Sequence, residues 1–536
     1  MKSLVSVDLL DVHLVAAKIA NLLSVLSPVT TIILVMIVGA YVTYRKRQAK
    51  LEYHINKLPG PYSLPLIGNG LQVSLGSKDD FLDRVVSAQK MYGRRIGLSR
   101  AWNGPFPYVL ISKASAAEPI LSNPRQVEKS ADYDFLKPWL GNGLLTSPAS
   151  IWHPRRKTLT PAFHFKILSD FIPIFHRNAL ILAEKLEEQL GNRTGFDVVP
   201  LTTLCALDVF CETAMGIPVN AQRNSDSEYV RAHQLIGKII RNRVQKFWLQ
   251  PDAIFKLTDE YRKHQECLQV LHSFSDRVIR DRHESLLKRR QTTDLNNNNA
   301  DDDQPFRRKQ LAFLDLLIEG SLDGNGLTLL DVREEVDTFV IGGHDTTAAA
   351  MAWLLLLLGT DQTIQDRCFA EIDQIMGGNR DRMPTLHELN EMKYLELCLK
   401  ETLRLYPSIP MIARKLAEDV KIHNQYTIPA GTNVMIVVYQ LHRDPAVFPN
   451  PDKFNPDNFL PENSAGRHPY AYIPFSAGAR NCIGQKFAVL EEKTVLSTIL
   501  RKFRIEAIER REDVSLLGDL VLRPRDGLRI RVSRRL

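Results

Sequence analysis

One cysteine near the C-terminal end constrains this chain more than any other residue. Cys482 lies in the run Phe475, Ser476, Ala477, Gly478, Ala479, Arg480, Asn481, Cys482, Ile483, Gly484. Gly478 and Gly484 permit backbone conformations and close approaches that a Cβ would block. Arg480 brings a fork of donors suited to a carboxylate. The apolar run 487–490 predicts a helix starting just after Cys482, whose positive end favours a thiolate. An isolated cysteine is most often a small buried hydrophobe. These neighbours instead describe a thiolate held against a flat, anionic cofactor, and point to a haem iron with a cysteine axial ligand.

The remaining composition narrows the setting. Of 536 residues, 44% are hydrophobic and 24% charged, the balance of a globular protein rather than a disordered or multi-span chain. There is no internal repeat, so one large catalytic unit is expected. Cys205, Cys211, Cys267, Cys368, Cys398 and Cys482 form no Cys-x-x-Cys pair, which indicates neither a disulfide framework nor a zinc ribbon and fits a reducing compartment. The net charge of +8 suits nucleic acid, a membrane surface or an acidic protein. No nucleic-acid-binding motif accompanies it, so no nucleic acid is expected as a partner.

No charged residue occurs from Ile19 to Tyr44. A helix of about 20 such residues crosses a bilayer core, so 19–44 is expected to be a transmembrane anchor after a short lumenal N-terminus, 1–18. The alternative, a cleaved signal peptide, would have a shorter apolar core nearer Met1. Arg45, Lys46, Arg47 and Lys50 follow and keep the body cytosolic under the positive-inside rule. The sequon at Asn192, Arg193, Thr194 would then stay unmodified. Residues 45–69, with Pro59, Gly60, Pro61, Pro65 and Gly68, read as a stiff basic hinge or as an ordinary surface turn. Residues 70–536 are the expected catalytic domain.

Apolar spacing predicts helices over 180–190, 261–289, 311–320, 327–358 and 392–405, with strands at 108–111, 432–439 and 520–532. The polar run 291–305 has nothing to bury and is expected to be a mobile loop. Inside the 327–358 helix lie Gly342, Gly343, His344, Asp345, Thr346 and Thr347. Two consecutive glycines weaken a helix by about 2 kcal/mol, and a diatomic ligand would need the space they leave. Asp345 and Thr346 offer an acid and a hydroxyl suited to passing protons through water. A plain kink with a threonine bonded back to a carbonyl is the competing explanation. Glu401 and Arg404, three apart, share a helical face and can pair.

The Cys482 run resembles, almost letter for letter, the haem-binding segment of the cytochrome P450 superfamily. Through 335–338, 344–347 and 470–487 the chain is most similar to family 4, the fatty-acid ω-hydroxylase branch of microsomal type. The resemblance implies a mostly α fold with small β-sheets, holding haem b between a long distal helix and the cysteine loop, with Cys482 as iron ligand. It puts Asp345 and Thr346 in the proton-delivery positions and Gly342 and Gly343 beside the bound oxygen. Phe475, Gly478 and Gly484 shape the loop. Trp152, Arg156, Arg414 and Arg480 match propionate-binding positions, although Arg155, Arg156 and Lys157 also read as a solvated basic face that an acidic electron donor could use. Glu401 and Arg404 match a buried pair supporting the cysteine loop.

Two departures from the family pattern stand out. Many branch members carry a glutamate that esterifies a haem methyl group, and the matching residue here is Gly342, so no covalent side-chain bond is expected. A third arginine normally joins the Glu-x-x-Arg pair, and Asn458 occupies its place, which leaves the scaffold one charge short. The resemblance further implies oxygen insertion into a hydrophobic substrate, a long-chain fatty acid or related lipid. Electrons would come from NADPH-cytochrome P450 reductase, with cytochrome b5 as a second donor, at the endoplasmic reticulum membrane. The alternatives are a peroxide isomerase or dehydratase of the same fold that needs no reductase, and a non-catalytic haem-binding membrane protein.

Overall fold

The computed structural model describes residues 28–64, 67–74, 81–163, 165–224, 227–297, 313–322 and 327–535. They fall into two compact units, Met1–Lys57 and Leu58–Leu536. In the first, Pro28–Ile55 is one helix with Val29, Val35, Met36 and Val38 exposed. Residues 1–27, which include the start of the expected anchor, lie outside the described residues. The helix runs past the basic cluster, so 45–55 is helical where a hinge was expected. Arg, Lys, Gln, Ala, Leu and Glu are all good helix formers, and nothing there stops propagation.

The second unit is built around the Leu329–Thr360 helix. Thr328 caps it reciprocally with Asp331: the Thr328 hydroxyl accepts from the Asp331 amide at 3.1 Å, and the Asp331 carboxylate accepts from the Thr328 amide at 2.8 Å. Beyond residue 347 the helix is apolar on all sides, the pattern of a core helix. It is long and apolar enough to cross a membrane by length and composition, yet 78% of its apolar window is buried inside the protein. Helices Val199–Phe210, Asp259–Asn297, Phe313–Leu322, Lys393–Leu405 and Gln485–Lys502 pack against it.

The sheets are small. Leu98–Asn103, Phe106–Ile111, Asn433–Ile436 and Ile412–Lys415 form one four-stranded sheet in that order, its middle pair parallel. Arg100 ties this sheet to the proline-rich segment: its amide donates to the Pro59 carbonyl (2.8 Å) and its side chain to those of Leu58 and Pro61 (3.1 and 3.0 Å). Residues 58–61 are thereby tied to the body.

Three expectations change. The helix expected at 261–289 runs Asp259–Asn297, so 291–297 is helical, and 298–312 lies outside the described residues. Once a long helix exists each added residue gains a hydrogen bond, which outweighs the weak propensity of asparagine. The strand expected at 520–532 is two strands, Leu522–Pro524 and Arg529–Arg534, divided by a turn with Gly527 at φ +82°. The strand expected at 432–439 ends at Ile436 and becomes a helical turn, Val438–Leu441.

Candidate active site

The cysteine loop is shaped mainly by its backbone. The Cys482 amide donates to the Phe475 carbonyl at 2.9 Å, and the Asn481 amide to the Gly478 carbonyl at 3.1 Å. Ser476 and Gly478 adopt left-handed conformations, φ +60° and +72°. A Cβ on Gly478 would stand 1.8 Å from the Leu121 carbonyl oxygen, so no other residue fits there. Gly484 precedes the helix Gln485–Lys502. Of the six cysteines, five are buried and Cys482 is exposed, but its exposed surface faces an internal cavity. Burial raises its thiol above the ordinary value, against the Gly484 amide and Arg156, which lower it. A metal ion bound by the sulfur would displace the thiol proton.

Behind the loop is a buried scaffold. The Arg404 Nε and Nη2 donate to Glu401 at 2.7 and 2.8 Å, and both side chains are fully buried. The Asn455 amide (2.9 Å) and the Asn458 side chain (3.1 Å) also donate to Glu401. Arg404 continues to the His442 carbonyl at 3.2 Å, and the His442 ring accepts from the Ile473 amide at 2.8 Å, two residues before Phe475. The charge expected to be missing at Asn458 returns nearby. Arg467 lies over the rings of Phe448 and Phe459, 4.6 and 4.9 Å from their centroids, and donates to the Asn458 carbonyl. Burial lowers its pKa, and the charge of Glu401 works to raise it.

A cluster of cations borders the same cavity. Arg414 and Arg480 are buried, Arg480 sits 4.7 Å over the Trp152 ring, and Lys129 lies beside them. Arg480 donates to the carbonyls of Leu144 (3.2 Å) and Ser147 (2.5 Å), but its Nε is buried without a partner. Burial and then the nearby Arg414 push Arg480 down to about 10; burial, Arg414 and Arg480 push Lys129 well below the usual lysine range. No carboxylate among the described residues forms an ion pair with these three groups. Cations gathered in this way require an anion. Lys129 carries no signal in the sequence, because one lysine next to a glutamate is unremarkable until the fold sets it beside two arginines.

Arg156 lines the cavity, but its guanidinium is engaged with Asn481, at 2.8 Å to the carbonyl and 2.9 Å to Oδ1. It clips the cysteine loop. Arg155 is no part of a solvated basic face: it is buried and paired with Asp331 and, at 2.9 Å, with Glu335.

On the long helix the expected residues point in three directions. Gly342 and Thr346 line the cavity, and the Thr346 hydroxyl donates to the Gly342 carbonyl at 2.9 Å. A Cβ on Gly342 would meet nothing within 4 Å, whereas one on Gly343 would stand 2.0 Å from the Phe210 ring. Gly343 also lines the cavity, with its α-carbon packed against the Phe210 ring. Asp345 borders an adjoining cavity instead, where it pairs with Arg523 and lies 3.9 Å from His233. Burial opposes its charge, but Arg523, His233 and His344 outweigh burial and hold the carboxyl below its usual range.

The residues fit a flat dianionic haem. Unpaired cations and an orphan Arg480 Nε await carboxylates. A Cβ at Gly342 would project into the cavity, and one at Gly484 would lie 4.0 Å from the Cys482 sulfur on the cavity wall.

The family model for cytochrome P450 matches residues 58–531. Cytochrome P450 4c3 of Drosophila melanogaster is 51% identical over the full length of both chains. Cytochrome P450 4V2 of Homo sapiens is 46% identical over 88% of each chain, and cytochrome P450 4c21 of Blattella germanica 41% over 91% of this chain and 96% of its own. With the cysteine loop and the cavity before it, this similarity makes the chain a member of the cytochrome P450 family, in its family 4 branch, and a haem-thiolate monooxygenase.

Proposed function

We propose that the chain hydroxylates a hydrophobic substrate, a long-chain fatty acid or related lipid, at its terminal carbon. In this reading NADPH-cytochrome P450 reductase, with cytochrome b5 as a second donor, supplies electrons at the endoplasmic reticulum membrane. The observation that carries it is that Cys482 and Thr346, from separate elements, line one largely apolar cavity. The exposed apolar side chains of Pro28–Ile55, followed by lysines and arginines, support a membrane anchor with a cytosolic body.

When bound, haem supplies the iron that activates dioxygen. Cys482 would hold that iron through its sulfur, giving up its proton on binding. Arg414, Arg480, Lys129 and Trp152 hold the propionates, while Arg156, through Asn481, keeps the loop in place. The apolar wall excludes bulk water. Thr346 presents Oγ1 to the cavity as the last proton donor, and Asp345, a carboxylate held ionised by Arg523, relays protons towards Thr346 from the adjoining cavity through water. Gly342 offers no carboxylate, so acidic organic solvent is expected to extract the haem from the chain completely.

The test is Thr346→Ala. With NADPH, reductase and a long-chain fatty acid, product is expected to fall about a hundredfold at unchanged haem content. Unchanged product, or turnover of a lipid hydroperoxide without NADPH, would contradict the reading.

A further inference from the structure

Tyr133, Ile341, Ile412, Leu520 and Val521 line both the cavity before Cys482 and the adjoining one. Leu520 and Val521 belong to the tip of a hairpin, Leu516–Gly518 with Leu522–Pro524. The adjoining cavity is mostly apolar, so its charged groups stand out. Asp345 is matched by Arg523, Asp132 accepts from Tyr108 and Ser130, and Asp197 accepts from two backbone amides. The helix Glu228–Gln245 differs, because there positive charge is in excess. Arg241 is buried and pairs with Asp519 at the hairpin tip. Lys238, three residues earlier on the same helical face, is exposed on the cavity wall and forms no ion pair among the described residues.

We propose that Lys238 and Arg241 receive the anionic head of the substrate, a long-chain carboxylate, whose tail runs inward past Leu520 and Val521. The assignment rests on the lipid function proposed for the chain. A carboxylate there neutralises the surplus ammonium, and the planar fork of Arg241 is shared between it and Asp519. The same wall dictates which end of the lipid leads. An isolated anion in the apolar inner cavity is costly, so the head stays with the cations and the methyl end advances towards Cys482 and Thr346. Oxidation at the terminal carbon follows from where the charge is held.

The experiment titrates the haem absorption of the full chain with a long-chain saturated fatty acid and, separately, with its methyl ester. Two variants are compared with the parent protein: Lys238→Gln, and the double variant Arg241→Gln with Asp519→Asn, which avoids stranding a buried carboxylate. The parent is expected to bind the acid about tenfold more tightly than the ester. Lys238→Gln should weaken acid binding about fivefold and the double variant about twofold, and ester binding should stay constant and report that the fold is intact. Equal binding of acid and ester by the parent, or variants that weaken both ligands alike, would overturn the head-group assignment and leave the lipid reading standing. If neither ligand shifts the spectrum, the lipid reading falls and the assignment with it.

Discussion

On the cysteine wall, residues 473–484 hold their shape through backbone hydrogen bonds and two left-handed residues, with the fully buried Glu401–Arg404 pair behind them. On the other wall the Leu329–Thr360 helix is regular throughout, and only the direction of successive side chains differs. Gly342 and Thr346 face the cavity, Gly343 lines it with the direction of its missing side chain against Phe210, and Asp345 faces the adjoining cavity. The cysteine wall is an irregular backbone made rigid by buried polar contacts, and the helical wall is a regular backbone that sorts its roles by angle. Damage to the first should therefore spread, and damage to the second should stay local.

The largest effect is expected at the scaffold. Glu401→Ala strands Arg404 in a fully buried position, which costs about 3–5 kcal/mol, and should abolish stable haem incorporation although neither residue lines the cavity. Haem content and thermal unfolding of the purified protein check this. Retained haem with an unchanged melting temperature would mean that the loop is not held from behind.

A smaller effect separates the two glycines of the helical wall. Gly343→Ala forces a methyl group into the Phe210 ring and should cost about 1–3 kcal/mol. Gly342→Ala meets only open space and should raise stability by about 1 kcal/mol, while crowding the cavity enough to weaken carbon monoxide binding to the reduced protein. Equal melting temperatures for the two variants would remove the distinction.

The smallest effect concerns pH. Glu492, on the helix that follows Cys482, is buried with one carboxylate oxygen unpartnered, and burial pushes its pKa up to about 8. Above its ordinary value the unfolded chain releases this proton and the folded chain keeps it, so the folded state loses stability as pH rises towards 8. Glu492→Gln should flatten that decline: the variant should be no more stable than the parent near pH 4, with a growing advantage up to pH 8. Parallel melting curves across this range would show that Glu492 is compensated by another group.

The same contrast explains how much of the molecule is legible in its letters. The cysteine loop is contiguous, so its ten residues disclose both ligand and turn by themselves. The long helix announces its glycines, acid and hydroxyl, but adjacent letters on a helix point about 100° apart, and the sequence does not say that Gly343 serves Phe210. Lys129 and Arg467 act through neighbours distant in sequence or through ring stacking, neither of which leaves a local pattern. The tail of the Asp259–Asn297 helix is illegible because propagation from a long helix overrides the composition of its last turns.

The chemistry assigned to both walls turns on Cys482 as the axial ligand of a haem bound in this cavity. The most direct test is the absorption spectrum of the reduced, carbon-monoxide-bound protein beside that of Cys482→Ser. The parent should show the band of a thiolate-ligated haem and the variant should lack it while keeping its helical content. A parent spectrum without that band, or a serine variant that retains it, would contradict the account.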